Sequence, residues 1–370
     1  MKPFEPQRLP IENIAWESLI PLIGHANRAL AQYDGVLYGL PNPEVLLSPM
    51  TTQEAVLSSR IEGTQATLGE VLKFEVGEEP EQEWKRQDIQ EIINYRIALR
   101  AAEKEMQARP FNLNLLLSLH SILLDSVRGV NKARGQFRRI QNWIGAPGST
   151  VETADFVPPS PEVLPEFLDN WEKYYHTTRP DPLVQLAIIH AQFEILHPFL
   201  DGNGRLGRLI IPIFLSEKQV LSRPMFYLSS YLEQKREAYT ENLRRLGMED
   251  GAWNRWIEFF LTALIDQAGE NSRKARAILD LYERLKERVI GLTHSQFAVP
   301  LLDRLFEKPM FQSSHLKGLP NSPSKQAIST LLNRLKNAGI LRVLREGGGR
   351  RPQVFALWEL LNLCEGREVF

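Results

Sequence analysis

Residues 197–208 read His197-Pro198-Phe199-Leu200-Asp201-Gly202-Asn203-Gly204-Arg205-Leu206-Gly207-Arg208, with one apolar helical run before them and another behind. Gly202 and Gly204 take positive φ at little cost, and Asn203 tolerates it better than most residues. A Gly-Asn-Gly turn can therefore aim successive backbone N–H groups into one concavity, an anion nest. The chain then re-enters helix near Arg205, where free N–H groups and the helix dipole also favour a phosphate. Arg205 and Arg208 are three residues apart, so they share a helix face and can fork onto phosphate oxygens. Asp201 is a hard oxygen ligand beside the nest, suited to a Mg²⁺ that bridges phosphates. His197 titrates near neutral pH and can take a proton from an incoming hydroxyl. The segment reads as a loop between two helices that grips a phosphorylated ligand with a base beside it.

The flanks agree. Asp181-Pro182 predicts an N-cap followed by proline at the first helical position. Leu183, Leu186, Ala187, Ile189, His190, Phe193 and Leu196 then follow helical spacing. His190, Glu194 and His197 depart from the His-Glu-x-x-His zinc pattern, so His190 reads as a hydrogen-bonded helix residue. Beyond the loop, Leu206, Leu209, Ile210, Ile213 and Phe214 continue an apolar face. Pro212 withholds a donor, which predicts a bend.

The ordered string His-Pro-Phe-x-Asp-Gly-Asn-Gly-Arg-x-x-Arg resembles the Fic signature at every specified position. The resemblance implies a protein adenylyltransferase, which moves AMP from ATP to a Ser, Thr or Tyr hydroxyl of a target protein with Mg²⁺. Carried over, it implies that His197 deprotonates the hydroxyl and Asp201 binds the metal. Gly202, Asn203 and Gly204 would hold the α- and β-phosphates, Arg205 would contact the phosphate chain, and Arg208 would hold the γ-phosphate. A kinase-like branch carries Lys at the position of Gly204, so glycine here implies nucleotidyl transfer.

Ser58-Ser59-Arg60-Ile61-Glu62-Gly63 places Ser58 and Glu62 four apart on one helix face. A helix that ends at Gly63 accounts for this pattern by itself. Beside the core motif it resembles the inhibitory helix of self-inhibited Fic proteins, here at about 52–63. Glu62 would then pair with Arg208 and occupy the γ-phosphate space, with Ser58 and Gly63 completing the motif. In some relatives the same glutamate positions a water that removes AMP, so de-adenylylation is an alternative activity.

Residues 135–145 have the aromatic and β-branched character of a strand, 146–149 form a turn, and Thr153 to Val157 is extended again. The hairpin resembles the Fic flap, with Thr153, Ala154, Asp155 and Phe156 on the target-docking side, where a target segment adds as a strand. A single helix is expected from Leu228 to Leu246. Spacings of four put Tyr231 and Tyr239 on one face, and in relatives a tyrosine on the matching helix lines the adenosine pocket.

The 370 residues suffice for two or three domains. Charge is balanced, 44 basic residues against 45 acidic, so no global field points to nucleic acid or membrane. Neither a secretory signal nor a spanning apolar run is evident, and the single cysteine, Cys364, suits a reducing cytoplasm. The expected organisation is an N-terminal helical region (1–110), the catalytic core (111–270), a helical connector (271–290) and a separate unit (291–370). That last unit, three helices and a basic hairpin, resembles a winged helix-turn-helix domain. Residues 308–351 hold nine basic residues and one acidic, a plausible DNA-contacting face. The expected fold is thus mainly α: a Fic-type helical core with one β-hairpin flap, plus a C-terminal winged helix-turn-helix domain. A homodimer is a further expectation from the resemblance. A DNA-binding regulator with a sensor core is the alternative from another class.

Overall fold

The apolar periodicities become helices through most of the computed structural model, which describes residues 2–125, 132–146, 148–246, 248–320, 323–349 and 351–370. The chain begins with α1 (Trp16–Gly39), α2 (Pro43–Leu46), α3 (Ser48–Ile61), α4 (Leu68–Glu75) and α5 (Glu83–Met106). Next come α6 (Leu113–Leu123), α7 (Leu164–His176), α8 (Pro182–Leu196) and α9 (Asn203–Glu217). They are followed by α10 (Ser229–Gln234), α11 (Arg236–Arg245), α12 (Ala252–Thr293) and α13 (Ala298–Glu307). The chain closes with β1 (Met310–Gln312), a 3-10 turn (Ser313–Leu316), α14 (Lys325–Asn337), β2 (Arg342–Arg345), β3 (Val354–Ala356) and α15 (Trp358–Glu365). Among the described residues no helix is long and apolar enough to cross a membrane.

Contacts divide the chain into two units: Met1–Asp34, Leu57–Thr64 and Gln90–Gly269 form the first, and Gly35–Val56, Gln65–Ile89 and Glu270–Phe370 the second. The expected divisions at 110, 270 and 290 follow chain order, whereas each unit gathers segments from separate parts of the chain.

Helix α8 is the axis of the first unit. It is apolar on all sides and buried along nearly its whole length, as a central helix must be. Asp181 caps it, accepting from the N–H groups of Leu183 (2.9 Å) and Val184 (3.0 Å). Two indoles reach its backbone from the sides: Trp171 Nε1 donates to the Ile189 carbonyl at 2.9 Å, and Trp256 Nε1 to that of Ala187 at 2.8 Å. Helix α9 lies against α8 and continues through Pro212 to Glu217.

Two local expectations fail. Residues 135–145 do not form a strand: one bridge, Ile144 with Phe156, is all the pairing found there. The segment's donors are used elsewhere, since Arg138 N donates to the Pro198 carbonyl at 2.9 Å and Gln141 Nε2 to that of Pro158 at 2.9 Å. The helix expected from Leu228 to Leu246 breaks at Lys235 into α10 and α11, so Tyr231 and Tyr239 share no continuous face.

In the second unit, β1, β3 and β2 form an antiparallel sheet in that order, with Phe311 and Val343 both opposite Phe355. Strand β1, three residues long, is too short to announce itself by alternation. Ser324 caps α14 by accepting from Ala327 N at 3.1 Å, and Gly339 ends it with φ 74°. Pro147 and Arg350, read in the sequence as part of a turn and of the basic hairpin, lie outside the described residues.

Replacing Asp181 with Ala removes both N-terminal acceptors of α8, and a cap of this kind stabilises by about 1–2 kcal/mol. The expected outcome is an unfolding free energy lowered by that amount, read as a lower urea midpoint with an unchanged m-value. An unchanged midpoint would show that the cap contributes nothing.

Candidate active site

The loop between α8 and α9 starts from an uncommon backbone. His197 closes α8 with φ 42° and ψ 60°, the left-handed region that histidine enters only when its surroundings hold it there. The holding groups are carbonyl-directed donors. Arg138 Nε donates to the His197 carbonyl at 2.9 Å, and its Nη2 reaches the carbonyls of Leu196 (3.3 Å) and Pro159. Asn142 Nδ2 donates to the Phe199 carbonyl at 2.9 Å. Asn203 closes the loop on itself: its Oδ1 accepts from Phe199 N and its Nδ2 donates to Phe199 O, both at 2.8 Å. The Asn203 side chain thus shapes the loop, and only its backbone N–H is left to face a ligand.

The other end is fixed by His120. Its Nδ1 accepts from Gly135 N at 2.8 Å, so Nε2 carries the hydrogen and donates to the Asp201 carbonyl at 3.1 Å. Burial lowers the His120 pKa to about 4, which keeps this tautomer neutral. Its ring stacks on Phe199 at 3.9 Å. Gly202 follows with φ 82°, where a side chain would be strained.

Gly204 is needed for a different reason from the one expected. It lies inside α9 with ordinary helical dihedrals, but a Cβ there would collide with Glu62 Oε1. Gly207 likewise leaves room for Glu194 Oε1. Glycine at both positions lets carboxylates approach the backbone of α9.

The two arginines do not act as a free pair. Arg205, 4% exposed, donates to Glu91 Oε2 at 3.0 Å and to Asp201 Oδ1 at 3.2 Å, so carboxylates take two of its N–H groups. Arg208, 1% exposed, donates through Nε to Ser58 Oγ at 2.9 Å and through Nη2 to the Ser58 carbonyl at 2.9 Å and Glu62 Oε1 at 2.6 Å. Burial alone would pull the Arg208 pKa down, but the Glu62 carboxylate outweighs it and holds the guanidinium charged. Burial likewise pushes Glu62 up, while the Arg208 charge and hydrogen bond bring it below the usual carboxylate range.

Helix α3 delivers these groups from its last turn. Ser58 is fully buried, Glu62 follows the last helical residue, and Gly63 turns the chain away with φ 100°. The helical spacing read in the sequence and the glycine stop are both present.

Behind Arg208 runs a polar relay. His190 Nδ1 lies 3.1 Å from the Gly207 carbonyl, so it donates there and Nε2 accepts from the Tyr239 hydroxyl at 2.9 Å. Tyr239 also faces Arg208. Burial lowers the His190 pKa to about 3, so it is a neutral structural group. Tyr231 is elsewhere: its ring faces Phe259 at 6.0 Å and its backbone N–H goes to Gln267 Oε1 at 3.0 Å.

His197 has its pKa lowered to about 4, chiefly by burial, against the raising effects of Glu62 and the Glu194 carbonyl. It is neutral at pH 7, as a general base must be, and its Nδ1 is buried without a hydrogen-bond partner. Glu194 was not singled out for this site by its sequence. Burial pushes its pKa up to about 8, and its Oε1 has no partner. It lines a cavity of about 110 Å³ with Ile144, Phe156, Ile195, Thr240, Leu243 and Arg244. Of the flap residues, Ala154 is buried, Asp155 pairs with Arg244 at 3.1 Å, Phe156 bridges Ile144, and Thr153 belongs to the turn.

Asp201 fits a metal that keeps most of its water. Its side chain is 39% exposed, and only Oδ1 is engaged, by Arg205. One carboxylate plus substrate phosphates is the usual provision for Mg²⁺. Among the described residues no group of three or more His, Cys, Asp or Glu side chains forms an all-protein metal cage.

Glu194 sets a pH signature. Its pKa is about 8 in the fold against an ordinary 4.5, so over that range the folded chain holds a proton the unfolded chain has lost. Its part of the stability therefore falls as pH rises from 4.5 to about 8. His197, lowered from 6.5 to about 4, gives the opposite slope, which ends near pH 6.5. Between pH 6.5 and 8 the urea midpoint should decline in the parent chain and decline less in Glu194→Gln. Equal slopes would mean that Glu194 is ionised in the fold.

Residues 20–104 match the family described as Fic/DOC family N-terminal, and residues 110–215 the one described as Fic/DOC family. The "Probable protein adenylyltransferase" of Aquifex aeolicus is 35% identical over 86 residues, which is 23% of this chain and 27% of that protein. Protein adenylyltransferase Fic of Drosophila virilis is 29% identical over 129 residues, 34% of this chain and 24% of that one. The chain thus covers about a quarter of the length of the curated relatives it matches. In fold it is similar to a solved Fic family protein from Desulfovibrio desulfuricans G20, with TM-score 0.58 and 20% identity over 95% of this chain and 98% of that one. Fic-1 of C. elegans (residues 134–508) aligns with TM-score 0.55 and 17% identity over 72% of this chain and 75% of that one.

Proposed function

The chain carries the Fic/DOC N-terminal and Fic/DOC domains, and from that premise we propose that it transfers AMP from ATP to a hydroxyl of a protein target under restraint by Glu62. The observation that carries the reading is the buried Arg208, held by Ser58 and Glu62 beside the first turn of α9. An isolated guanidinium is costly to bury, so this position is built for an anion.

In this reading the triphosphate lies over the N-terminus of α9. The backbone N–H groups at Gly202, Asn203 and Gly204 meet its oxygens, and the helix dipole adds to the attraction. Arg208 takes the terminal phosphate once Glu62 has moved. Asp201 would hold Mg²⁺, which neutralises phosphate charge when bound. The apolar cavity beside Phe156 and Leu243 accepts the base. A target segment pairs with residues 153–156 and brings its hydroxyl to His197. The imidazole takes the hydroxyl proton while the oxygen attacks the α-phosphorus. The bond from that phosphorus to the bridging oxygen breaks, and pyrophosphate leaves.

Glu62 competes with the terminal phosphate for Arg208. Bound in this pose, it leaves ATP unable to place its α-phosphorus correctly. A second reading is hydrolytic removal of AMP by a water held on Glu62, whose side chain is 37% exposed and so open to water.

The test is label transfer from α-³²P-ATP and, separately, γ-³²P-ATP in the presence of Mg²⁺, with lysate proteins as acceptors. Protein labelling from the α-position should rise roughly 5–150-fold in Glu62→Gly, the range of ordinary couplings between sites. It should vanish when His197→Ala is added. Labelling from the γ-position would make the chain a kinase. Loss of AMP removal from a labelled target in Glu62→Gly, with no gain in transfer, would favour the hydrolytic reading.

A further inference from the structure

The second unit contains a stretch whose charge is out of keeping with the rest of the chain. The whole chain is balanced, but residues 308–345 contain no acidic residue, and 308–351 contain only Glu346. Three of the basic residues there serve the unit itself. Arg334 donates to the Thr293 carbonyl at 3.0 Å, Arg342 lies 3.9 Å over the Trp358 ring, and Arg345 pairs with Glu78 at 3.0 Å. Lys308, Lys317, Lys325 and Arg351 are exposed and Lys336 is half-buried, none with a carboxylate partner among the described residues.

Helix α14 divides cleanly. Ile328, Leu331, Leu332 and Leu335 are buried. Lys325, Gln326, Ser329, Thr330 and Asn333 are exposed and recur at helical spacing along the outward face. That face is polar without being acidic, and rich in the amide and hydroxyl groups that read base edges in a major groove. The 3-10 turn Ser313–Leu316 and Lys317 precede the helix. The glycine-rich turn between β2 and β3 carries the exposed Arg351, whose N–H pairs back to Gly348 O at 3.0 Å.

We propose that this unit binds double-stranded DNA, with α14 in the major groove and Lys317, Lys325 and Arg351 on the flanking phosphates. The occupant follows from charge complementarity: five unpaired cations beside a helix face with no carboxylate suit a regular polyanion that is wide enough to admit a helix. The inference is independent of the adenylyl-transfer reading, because it uses none of the residues of that site.

The test is fluorescence anisotropy of the full chain with a fluorescein-labelled 30-bp duplex, titrated between 50 and 200 mM KCl. Three phosphate contacts give a slope of log K on log salt of about −2.7, a loss of about 40-fold over that range. Lys317→Ala, Lys325→Ala and Arg351→Ala should each make the slope less steep by about one. Gln326→Ala and Asn333→Ala should leave the slope alone and flatten preferences among duplex sequences. All five positions are exposed, and matching thermal unfolding confirms that the variants fold. Three results would overturn the inference: no salt-dependent binding, binding unchanged in the triple cation variant, or poly-glutamate bound as tightly as the duplex.

Discussion

One buried cation organises the site. Arg208 is almost wholly removed from water, and its N–H groups are used by Ser58 and Glu62. A guanidinium in that position needs negative charge beside it at all times, because losing its partner would leave a charge stranded in a low dielectric. Whatever displaces Glu62 must therefore arrive with its own negative charge. The same constraint explains the composition of α9. Gly204 and Gly207 are small because Glu62 and Glu194 stand against the helix backbone where side chains would otherwise project.

The loop is held as firmly as the cation. Its carbonyls at Leu196, His197, Pro198 and Phe199 all accept hydrogen bonds from the Arg138–Asn142 segment or from within the loop. Such complete use of backbone acceptors keeps His197 in its left-handed conformation, and the His120 donor to Asp201 fixes the far end. The imidazole that would handle a proton is thus set by groups that never touch a ligand.

How far all this could be read from the chain depends on the distance over which each signal acts. Helices α8 and α9 and the Asp181 cap were legible, because helical spacing and a cap are local signals. The approach of Ser58 and Glu62 to Arg208, 146 positions from Glu62, came only from the resemblance of two motifs to a family pattern. The winged-helix reading drew on the same helical periodicity, and the third strand, β1, escaped it for want of length. The partners of the loop were not legible. His120 is one polar residue in a leucine-rich helix, and Arg138 and Asn142 sit in a segment whose residue types suggested a strand. Nothing local says that their donors turn to carbonyls some 60 residues away. Tyr231 and Tyr239 were paired by a spacing that assumed one helix, and the break at Lys235 separates them. Gly204 was read for its backbone freedom, whereas its purpose is space, a property of the neighbour.

The place of Glu62 in the chain has a kinetic meaning. It stands just past the last residue of α3, in a turn closed by Gly63, and its side chain is 37% exposed. To leave Arg208 it needs a new rotamer and the loosening of one helical turn, a local opening that takes microseconds to seconds. That range overlaps ordinary enzyme turnover, about a millisecond to a second. Under the proposed function the step at Arg208 would be an exchange of one anion for another, never a vacancy. The rate would then follow the fraction of molecules in which phosphate has taken the place of Glu62. A signal that shifts that fraction adjusts the output continuously, in the manner of a dimmer.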